Sequence, residues 1–283
     1  MTTDGGGWTV IQRRASSSTD FFKSYDEYRQ GFGDVEGDHW LGLDAIHGLT
    51  TAAEPQQLRT EFVGCDGENM VAVHDSFQVG SSSQEYQLTI GQFECGNGAK
   101  SFDYHSGAFF STADHDRDTL SSGYEQYDNN CAHESFTPSG WWFKSCQKVN
   151  PNGPYPNDDS AICVHVDYGK GLIVDDWKGY YYSAKGSKLM IRPRAFADAF
   201  AGRNKRFALF RTDGRFSPSS PPLGNITGLH SIRQCGHRCR RNACCRAFSF
   251  AYSPHGGGLC TLHAASSEPI DEAEGYQSWR VIE

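Results

Sequence analysis

The stretch "GWWFKSC", residues 140–146, places two adjacent tryptophans shortly before a cysteine, and another cysteine lies upstream in "NCA", residues 130–132. Large aromatic side chains contribute strongly to core packing when they are buried. We therefore expect Trp141 and Trp142, together with Trp177 further along the chain, to pack in a core rather than to line a ligand site.

Ten cysteines in 283 residues are the strongest compositional signal. Their number is even and their spacing irregular, without the CxxC pairs of zinc sites, which is typical of disulfides formed in an oxidising compartment. The sequon at Asn225 lies among prolines and glycines and predicts a glycan in a loop. The chain is thus expected to be extracellular. Because no signal peptide follows Met1, that residue is not expected to be a natural start of translation.

The net charge of −8 is unevenly distributed along the chain. Residues 1–205 carry 17 Lys and Arg against 28 Asp and Glu, whereas residues 206–283 carry nine arginines against six acids. This asymmetry predicts two modules, and the acidic larger module argues against nucleic acid as a partner. The chain has no long apolar run and a mean hydropathy of −0.59, so no membrane-spanning helix is expected.

Short β-like runs separated by Gly and Asn clusters fill the first 194 residues, where helical periodicity is scarce. One helix is predicted within residues 21–33, with Gly31 as its stop. After a linker at residues 195–205, residues 206–283 show strand patterns and a predicted helix at 230–241. The fold class is therefore α+β, with a large first domain, a long loop-built functional face and a small second domain held by cysteines.

The order of five motifs gives residues 1–194 a resemblance to the fibrinogen-related domain family. They are "TDGGGWTVIQRR" (3–14), "YRQGFGDVEGDHWLGLDAIHGLT" (28–50), "NCA" (130–132), "GWWFKSC" (140–146) and "WKGYYYSAKGSKLMIRP" (177–193). The resemblance implies a central antiparallel sheet followed by a loop-rich subdomain that bears calcium and ligand sites. In the family, an N-terminal piece with its own disulfide precedes the first motif, so this chain is expected to be a truncated or processed form.

The second module, residues 206–283, contains "SIRQCGHRC", "CCRAFSF" and "GLCTL" between residues 231 and 262. These segments resemble a PAN/apple domain, which implies a helix on a small sheet tied by two disulfides.

Three disulfides are implied by these resemblances: Cys131–Cys146, Cys235–Cys260 and Cys239–Cys245. The first would enclose 14 residues and, in the chain-entropy model, stabilise the fold by about 3 kcal/mol. Two further pairings are then expected: Cys65–Cys95, on neighbouring sheet segments of the family fold, and Cys163–Cys244, as a bridge between the domains. For the last pair, a link to another chain in a homo-oligomer and buried free thiols are the alternatives.

Carboxylates recur at alternate positions in Asp114, Asp116 and Asp118, a spacing that allows an extended loop to bind a hard cation such as Ca²⁺. A solvated acidic turn is the simplest alternative. An EF-hand is excluded because its sixth position, which requires glycine for a sharp turn, is Thr119, and because the flanking segments are poor helices.

The family resemblance implies a calcium site made by the Asp116 and Asp118 side chains with the carbonyls of Leu120 and Ser122. This chain departs from the family motif by extra residues, "SSGYEQYD" (121–128), that follow the aspartates. Glu125 or Asp128 is therefore an alternative to one of the carbonyl ligands.

A pocket for acetyl groups of sugars is also implied beside the calcium loop. Its expected parts are a cis peptide bond between Asn130 and Cys131 and an aromatic ring at Phe136. Gln147 stands where the family has a histidine, and Cys163 falls near another pocket aromatic. A cysteine in place of a ring would widen a small apolar pocket and remove a wall that contacts the methyl group.

Five arginines, at positions 233, 238, 240, 241 and 246, surround the cysteines of the second module. They predict a patch for sulfate or an acidic partner, an intrachain contact with the acidic first domain, or an ordinary solvated helix face.

No HExxH, GxSxG or P-loop motif is present, and Ca²⁺ is a weak Lewis acid beside zinc, so an enzyme is not expected. The sequence predicts a secreted, calcium-dependent, lectin-like recognition protein of innate defence that binds glycans such as acetylated sugars. The alternative is an extracellular structural or assembly protein that uses both domains for contacts with other proteins.

Overall fold

The computed structural model describes residues 6–52, 54–65, 68–96, 100–155 and 166–195, and then the strand segments 206–211, 214–216, 224–229, 247–252, 258–263, 269–272 and 276–282. The chain divides into two compact units. One comprises Trp8–Glu94 and Gly98–Arg194, and the other comprises Ala195–Glu283 with Met1–Gly7 and Cys95–Asn97.

An eight-stranded sheet forms the centre of the first unit, in the order β2-β3-β1-β10-β4-β5-β6, with β7 also paired to β5. The pairs along this order are antiparallel, which confirms the expected central sheet. The strands are β1 (Thr9–Arg14), β2 (Phe32–Gly33), β3 (His39–Trp40), β4 (Gln56–Val63), β5 (Asn69–Val79), β6 (Leu88–Ile90), β7 (Phe93–Gly96) and β10 (Gly186–Pro193).

In the described part of the first unit, three short α-helices accompany the sheet: α1 (Tyr25–Gln30), α2 (Leu43–Thr50) and α3 (Asp175–Lys178). The predicted stop of α1 at Gly31 is confirmed, since Gly31 has φ +94°. The helix starts later than the predicted range, because Ser24 and Glu27 form a capping box that fixes its first turn.

A cluster of aromatic rings forms the core beneath the sheet. Trp142 contacts Trp40 and Phe110 with ring centroids 6.0 and 5.1 Å apart. Trp141 and Trp142 are buried, as predicted, whereas Trp177 is half-buried against Tyr182. The motif that follows the first cysteine is thus part of the core.

Irregular backbone makes up most of the described residues in the ranges 100–155 and 166–185. The regular elements there, beyond short 3-10 turns, are β8 (Val149–Asn150), β9 (Ile173–Val174) and α3. Buried His105 holds two of these loop segments together. Its Nδ1 lies 2.8 Å from the Trp142 carbonyl, and its Nε2 accepts hydrogen bonds from the amides of Lys148 and Val149. Burial lowers the pKa of His105 to about 4, so the imidazole is neutral at pH 7.

The second unit contains a five-stranded antiparallel sheet in the order β11-β17-β14-β15-β13, and a separate pair β12-β16. The strands are β11 (Arg206–Arg211), β12 (Gly214–Phe216), β13 (Gly224–Leu229), β14 (Ala247–Tyr252), β15 (Gly258–His263), β16 (Pro269–Glu272) and β17 (Tyr276–Ile282). The predicted helix at 230–241 and the five arginines lie outside the described residues.

Asn225 lies in strand β13, where it pairs with Thr261, and the expectation of a loop at this position was wrong. The β-branched residues Ile226 and Thr227 that follow favour a strand. β13 is an edge strand of its sheet.

Among the described residues, no helix has both the length and the apolar character needed to cross a lipid bilayer.

Candidate functional site

The aspartate loop, residues 111–120, runs beside the disulfide-bonded loop. Ser111 and Trp141 exchange two backbone hydrogen bonds of 2.9 and 3.1 Å. At the other end, the Thr119 amide donates to the Lys144 carbonyl at 3.0 Å. The two loops therefore form one backbone-bonded pair.

Cys131 and Cys146 are bonded as a disulfide, with Cα atoms 5.1 Å apart. The Asn130–Cys131 peptide bond is trans, as are the other described peptide bonds, so the cis bond implied by the resemblance is not found. For a residue other than proline the trans form is favoured by about 3 kcal/mol. The Asn130 side chain holds the trans arrangement, because its Oδ1 accepts from the Ala132 amide at 2.7 Å and its Nδ2 donates to the Thr112 carbonyl at 3.3 Å.

Asp118 connects the aspartate loop to the first cysteine. Its Oδ2 accepts a hydrogen bond from the Cys131 amide and its Oδ1 accepts one from the Leu120 amide, both at 2.7 Å. Asp116 accepts from the Asp118 amide at 3.0 Å. Burial raises the pKa of Asp118 to about 6, and the charge of Asp116 adds to the rise, while the two N–H donors act in the opposite direction. A cation between the carboxylates would relieve their mutual repulsion.

The backbone beside these carboxylates offers further oxygen ligands. Within the described residues, the carbonyls of Leu120 and Ser122 accept no hydrogen bond. In the same part of the chain, no three His, Cys, Asp or Glu side chains converge to hold a metal ion. A cation held here would therefore combine two carboxylates with backbone carbonyls, a donor set that fits Ca²⁺.

The two alternative ligands are engaged in turns of the extra segment. Glu125 Oε1 accepts from the Gly123 amide at 3.0 Å. The Asp128 carboxylate lies 3.8 Å from His133 Nε2 and is 86 % exposed. These contacts give both side chains a local role in shaping residues 123–133.

The residues between the aspartates bind a different partner, Glu85. His115 Nε2 lies 2.8 Å from Glu85 Oε2, and Arg117 Nη2 donates to Glu85 Oε1 at 2.7 Å. The Tyr25 ring packs on His115 at 4.0 Å, and its hydroxyl donates to Glu85 Oε2 at 3.3 Å. Odd-numbered residues of the loop thus anchor it to Glu85, while the even-numbered aspartates accept from backbone amides.

Asp114 binds the first residue of helix α1 and is not part of the pair formed by Asp116 and Asp118. Its Oδ1 accepts from the Tyr25 amide at 3.0 Å and from the Thr112 hydroxyl at 2.7 Å. A carboxylate at the first residue of a helix is favoured by the unpaired N–H groups there. The alternation of three aspartates therefore combines one helix-capping residue with two adjacent carboxylates.

Three tyrosines form an aromatic surface near the second cysteine. The Tyr168 ring lies 4.8 Å from Tyr180 and 5.5 Å from Tyr181, and Tyr168 and Tyr181 are 52 % and 51 % exposed. Within the triplet 180–182, Tyr181 is thus the most exposed ring. The Tyr180 hydroxyl donates to the Gln147 carbonyl at 3.1 Å, which joins the surface to the residue after Cys146.

Gln147 is buried and lies beneath this aromatic surface. Its Nε2 donates to the Gly169 carbonyl at 3.1 Å, and its Oε1 has no hydrogen-bond partner among the residues that the structure describes. Gly169 has φ +74°, and a Cβ placed there would lie 3.0 Å from Gln147 Nε2 and 3.6 Å from Thr137 Cγ2. The Thr137 hydroxyl donates to the Cys131 carbonyl. A continuous set of contacts thus leads from the aromatic surface to the disulfide and on to Asp118.

Phe136 lies beside two tyrosines of the extra segment. The Tyr127 ring lies 4.8 Å from Phe136 at an interplanar angle of 11°, and the Tyr124 ring lies 6.2 Å away at 16°. The resemblance implied a pocket ring at Phe136, but it gave no sign that residues 121–128 pack against that ring.

Sequence reasoning missed Tyr168, and it assigned Tyr180 no place beside Gln147. It predicted that Cys163 replaces an aromatic ring of the pocket, and this residue lies outside the described residues. Tyr168 follows Gln147 by 21 positions across a turn-rich segment without a periodic pattern. The one local signal is that Tyr168 directly precedes Gly169, in a segment where glycine is needed for a left-handed backbone.

The remaining cysteine pairings stay predictions. Cys65 takes part in a disulfide. The side chain of Cys95 and residues Cys163 and Cys244 lie outside the described residues. The same holds for the proposed bridges of the second module, which involve Cys235, Cys239, Cys245 and the side chain of Cys260.

Comparisons with known proteins agree with this architecture. The family model for the C-terminal globular domain of fibrinogen beta and gamma chains matches residues 1–194. The model for the PAN domain matches residues 210–280. Fibrinogen C domain-containing protein 1-B of Xenopus laevis is 39 % identical over 199 residues, which cover 69 % of this chain. Fibrinogen C domain-containing protein 1 of Mus musculus is 39 % identical over 198 residues. The match spans 40 % of the length of each relative.

Solved structures show the same fold. The fibrinogen-like globe domain of human ANGPTL2 has a TM-score of 0.61 and 35 % identity, covering 68 % of this chain and 83 % of that one. A lamprey fibrin D-dimer, complexed with the peptide Gly-His-Arg-Pro-amide, has a TM-score of 0.60 and 27 % identity, covering 77 % and 67 %. The chain therefore belongs to the family of the C-terminal globular domain of fibrinogen beta and gamma chains, with a PAN domain following it.

Proposed function

We propose that the chain is an extracellular recognition protein that binds acetylated glycans with the help of calcium. The observation that supports this most directly is the connected set of residues from the aspartate loop to the aromatic surface. Asp118 accepts from the Cys131 amide, the Cys131 carbonyl accepts from Thr137, and Thr137 packs near Gly169 and Gln147. A cation at the loop would thus influence the ligand surface through protein contacts alone.

The aromatic surface has the composition of a sugar site. Tyr168, Tyr180 and Tyr181 offer apolar ring faces with hydroxyl groups at their edges, which suits ligands that carry both C–H faces and hydroxyls. Gln147 Oε1 is a buried acceptor that no described residue pairs with. Such an acceptor favours a ligand that brings a donor, as the N–H of an acetamido group does.

In this proposal the Asp116 and Asp118 carboxylates, with the Leu120 and Ser122 carbonyls, hold the calcium ion. The ion supplies positive charge that neutralises the adjacent carboxylates and keeps the loop ordered. The chain's own residues bind the sugar: the tyrosine rings pack against it and Gln147 accepts a hydrogen bond.

A glycan array read with calcium and again with EDTA tests the proposal. We expect binding to acetylated sugars that EDTA abolishes, and loss of this binding in Asp116→Ala. The matched control is Glu134→Ala, which removes an exposed carboxylate outside the aspartate loop. The absence of any acetylated-sugar hit in calcium would refute glycan recognition, and full binding in EDTA would refute the role of calcium.

The second candidate function is assembly through protein contacts. The solved lamprey relative is complexed with a peptide, and the PAN domain match provides a second module. Stable oligomers in non-reducing light scattering, combined with an empty glycan array, would favour this function over glycan recognition.

The extracellular location rests on the cysteine-rich composition and on both domain types, which are typical of extracellular proteins. A glycan at Asn225 belongs to the same proposal, and it rests on the sequon Asn225-Ile226-Thr227. A mass shift on treatment with a glycosidase specific for N-linked glycans tests it.

A further inference from the structure

The extra segment, residues 121–128, contributes an exposed aromatic ring next to the proposed sugar site. Tyr124 is 43 % exposed, and its ring is nearly parallel to that of Phe136. Tyr127 packs more closely on Phe136 and is half-buried. The segment therefore buries one ring as a support and presents the other to solvent.

Local hydrogen bonds hold Tyr124 in place. Its amide donates to Asn129 Oδ1 at 3.1 Å, and its carbonyl accepts from the amides of Tyr127 and Asn129 at 2.9 and 3.2 Å. Asp128 and Asn129 have φ of 53° and 52°, a conformation that Asp and Asn tolerate better than most residues. A ring held on such a turn loses little conformational freedom when it binds a ligand.

This turn is joined directly to the disulfide-bonded loop. The Asn130 amide donates to the Tyr127 carbonyl at 2.9 Å, and Asn130 precedes Cys131. The turn thus has a fixed position relative to the loop that leads to Gln147.

Contacts on the page also connect Tyr124 to the aromatic surface. Its ring stacks on Phe136, the residue before Thr137, and Thr137 Cγ2 lies 3.6 Å from the Cβ position of Gly169, the residue after Tyr168. Tyr124, Tyr168 and Tyr181 are three of the five large aromatic rings that are exposed among the described residues. Solvent-facing rings grouped in this way extend the sugar surface beyond Gln147.

We propose that Tyr124 forms a second subsite that packs against the next sugar of an oligosaccharide whose acetylated unit lies over Gln147. This inference rests on the proposed function, because it extends the same site. Tyr124 would make the protein selective for chains of acetylated sugars over the single sugar. A flat ring with a hydroxyl at its edge suits a second sugar, whose C–H face packs on the ring while its hydroxyls remain in water.

Affinities for N-acetylglucosamine and for its β-1,4-linked tetrasaccharide, measured by calorimetry in calcium, test the inference. The decisive quantity is the ratio of the tetrasaccharide affinity to the monosaccharide affinity in each protein. The tetrasaccharide offers several sugar units that can occupy the first subsite, which raises its apparent affinity for any protein. This statistical factor is the same for every variant, so it cancels when the ratios of two proteins are compared. We expect Tyr124→Ala to lower the ratio about fivefold relative to the wild type, and Tyr124→Phe, which keeps the ring, to retain it.

The outcomes separate this inference from the proposed function. If the wild type binds the monosaccharide in calcium but Tyr124→Ala has the wild-type ratio, the second subsite is refuted while glycan recognition stands. If the wild type binds neither sugar, the second subsite is refuted, and an array without any acetylated-sugar hit would refute glycan recognition as well. A reduced ratio in Tyr124→Phe would refute ring packing as the basis of selectivity. Thermal unfolding of each variant confirms that the exposed ring was removed without loss of the fold.

Discussion

The amide nitrogen of Cys131 lies 2.7 Å from Oδ2 of Asp118, and this hydrogen bond joins the aspartate loop to the disulfide-bonded loop. The other oxygen of Asp118 accepts from the Leu120 amide. One carboxylate thus holds two backbone segments, which gives Asp118 a structural role in addition to its proposed role as a ligand.

Replacement of Asp118 is therefore expected to destabilise the protein even in EDTA. Asp118→Ala leaves the amides of Cys131 and Leu120 without their acceptor, and we expect the free energy of unfolding to fall by about 1–3 kcal/mol. Urea denaturation in EDTA measures this change. Glu134→Ala removes an exposed carboxylate from a residue with an ordinary backbone conformation, and it should change stability by less than about 0.5 kcal/mol. Equal stability of the two variants would contradict the structural role.

Glu85 is expected to support calcium binding without touching the ion. Its carboxylate fixes His115 and Arg117, which alternate with the aspartates, so Glu85→Ala should let the loop move and weaken calcium affinity about tenfold. Calorimetric titration with calcium measures the affinity. Glu134→Ala serves as the control, and an unchanged affinity in Glu85→Ala would show that this anchor is dispensable.

His105 is expected to make stability depend on pH. Its pKa is lowered from 6.5 to about 4 by burial, so the unfolded chain takes up a proton below pH 6.5 while the folded protein does not. The free energy of unfolding should therefore fall as the pH decreases from 6.5 to 4, by roughly 3 kcal/mol in total from this residue. His105→Gln does not titrate, and chemical denaturation across this range should show a shallower pH dependence. An unchanged slope would contradict the assignment to His105.

Gly169 is expected to matter for both stability and ligand binding. Alanine there adopts an unfavourable φ of +74° and places Cβ 3.0 Å from Gln147 Nε2. Gly107→Ala is a matched control, because Gly107 has φ +88° but no atom near its Cβ position. Both variants should lose about 1–2 kcal/mol of stability through the backbone. Only Gly169→Ala should also weaken sugar binding on the glycan array, and equal binding by both variants would exclude Gly169 from the site.

Motifs with local physical constraints were predictable from the sequence. Gly31 ends α1 because its positive φ disfavours other residues. The two tryptophans of residues 140–146 lie in the core because their apolar area is large. Such features depend on a few neighbouring residues and can be predicted from a single sequence.

Features that depend on distant partners were not predictable. Tyr168 gains its position through Tyr180 and through Gly169, whose carbonyl binds Gln147. Asp114 looks equivalent to Asp116 in the sequence, and only the approach of Tyr25, 89 positions earlier, separates their roles. Likewise, the packing of Tyr124 and Tyr127 on Phe136 has no counterpart in the family motif. Contacts of this kind arise from topology rather than from local pattern.

The alternation in residues 114–118 also restricts where this chain can change its length. The contacts of residues 115–118 alternate between Glu85 and backbone amides, so one residue added or deleted among them would exchange the aspartates with His115 and Arg117. Glu85 would then face carboxylates, and the amide of Cys131 would face a cation. Added residues preserve this order only outside the segment, and the extra residues 121–128 begin three positions after Asp118. The order of contacts in the loop is thus kept when residues are added after it, and Tyr124 of the proposed second subsite lies among those added residues.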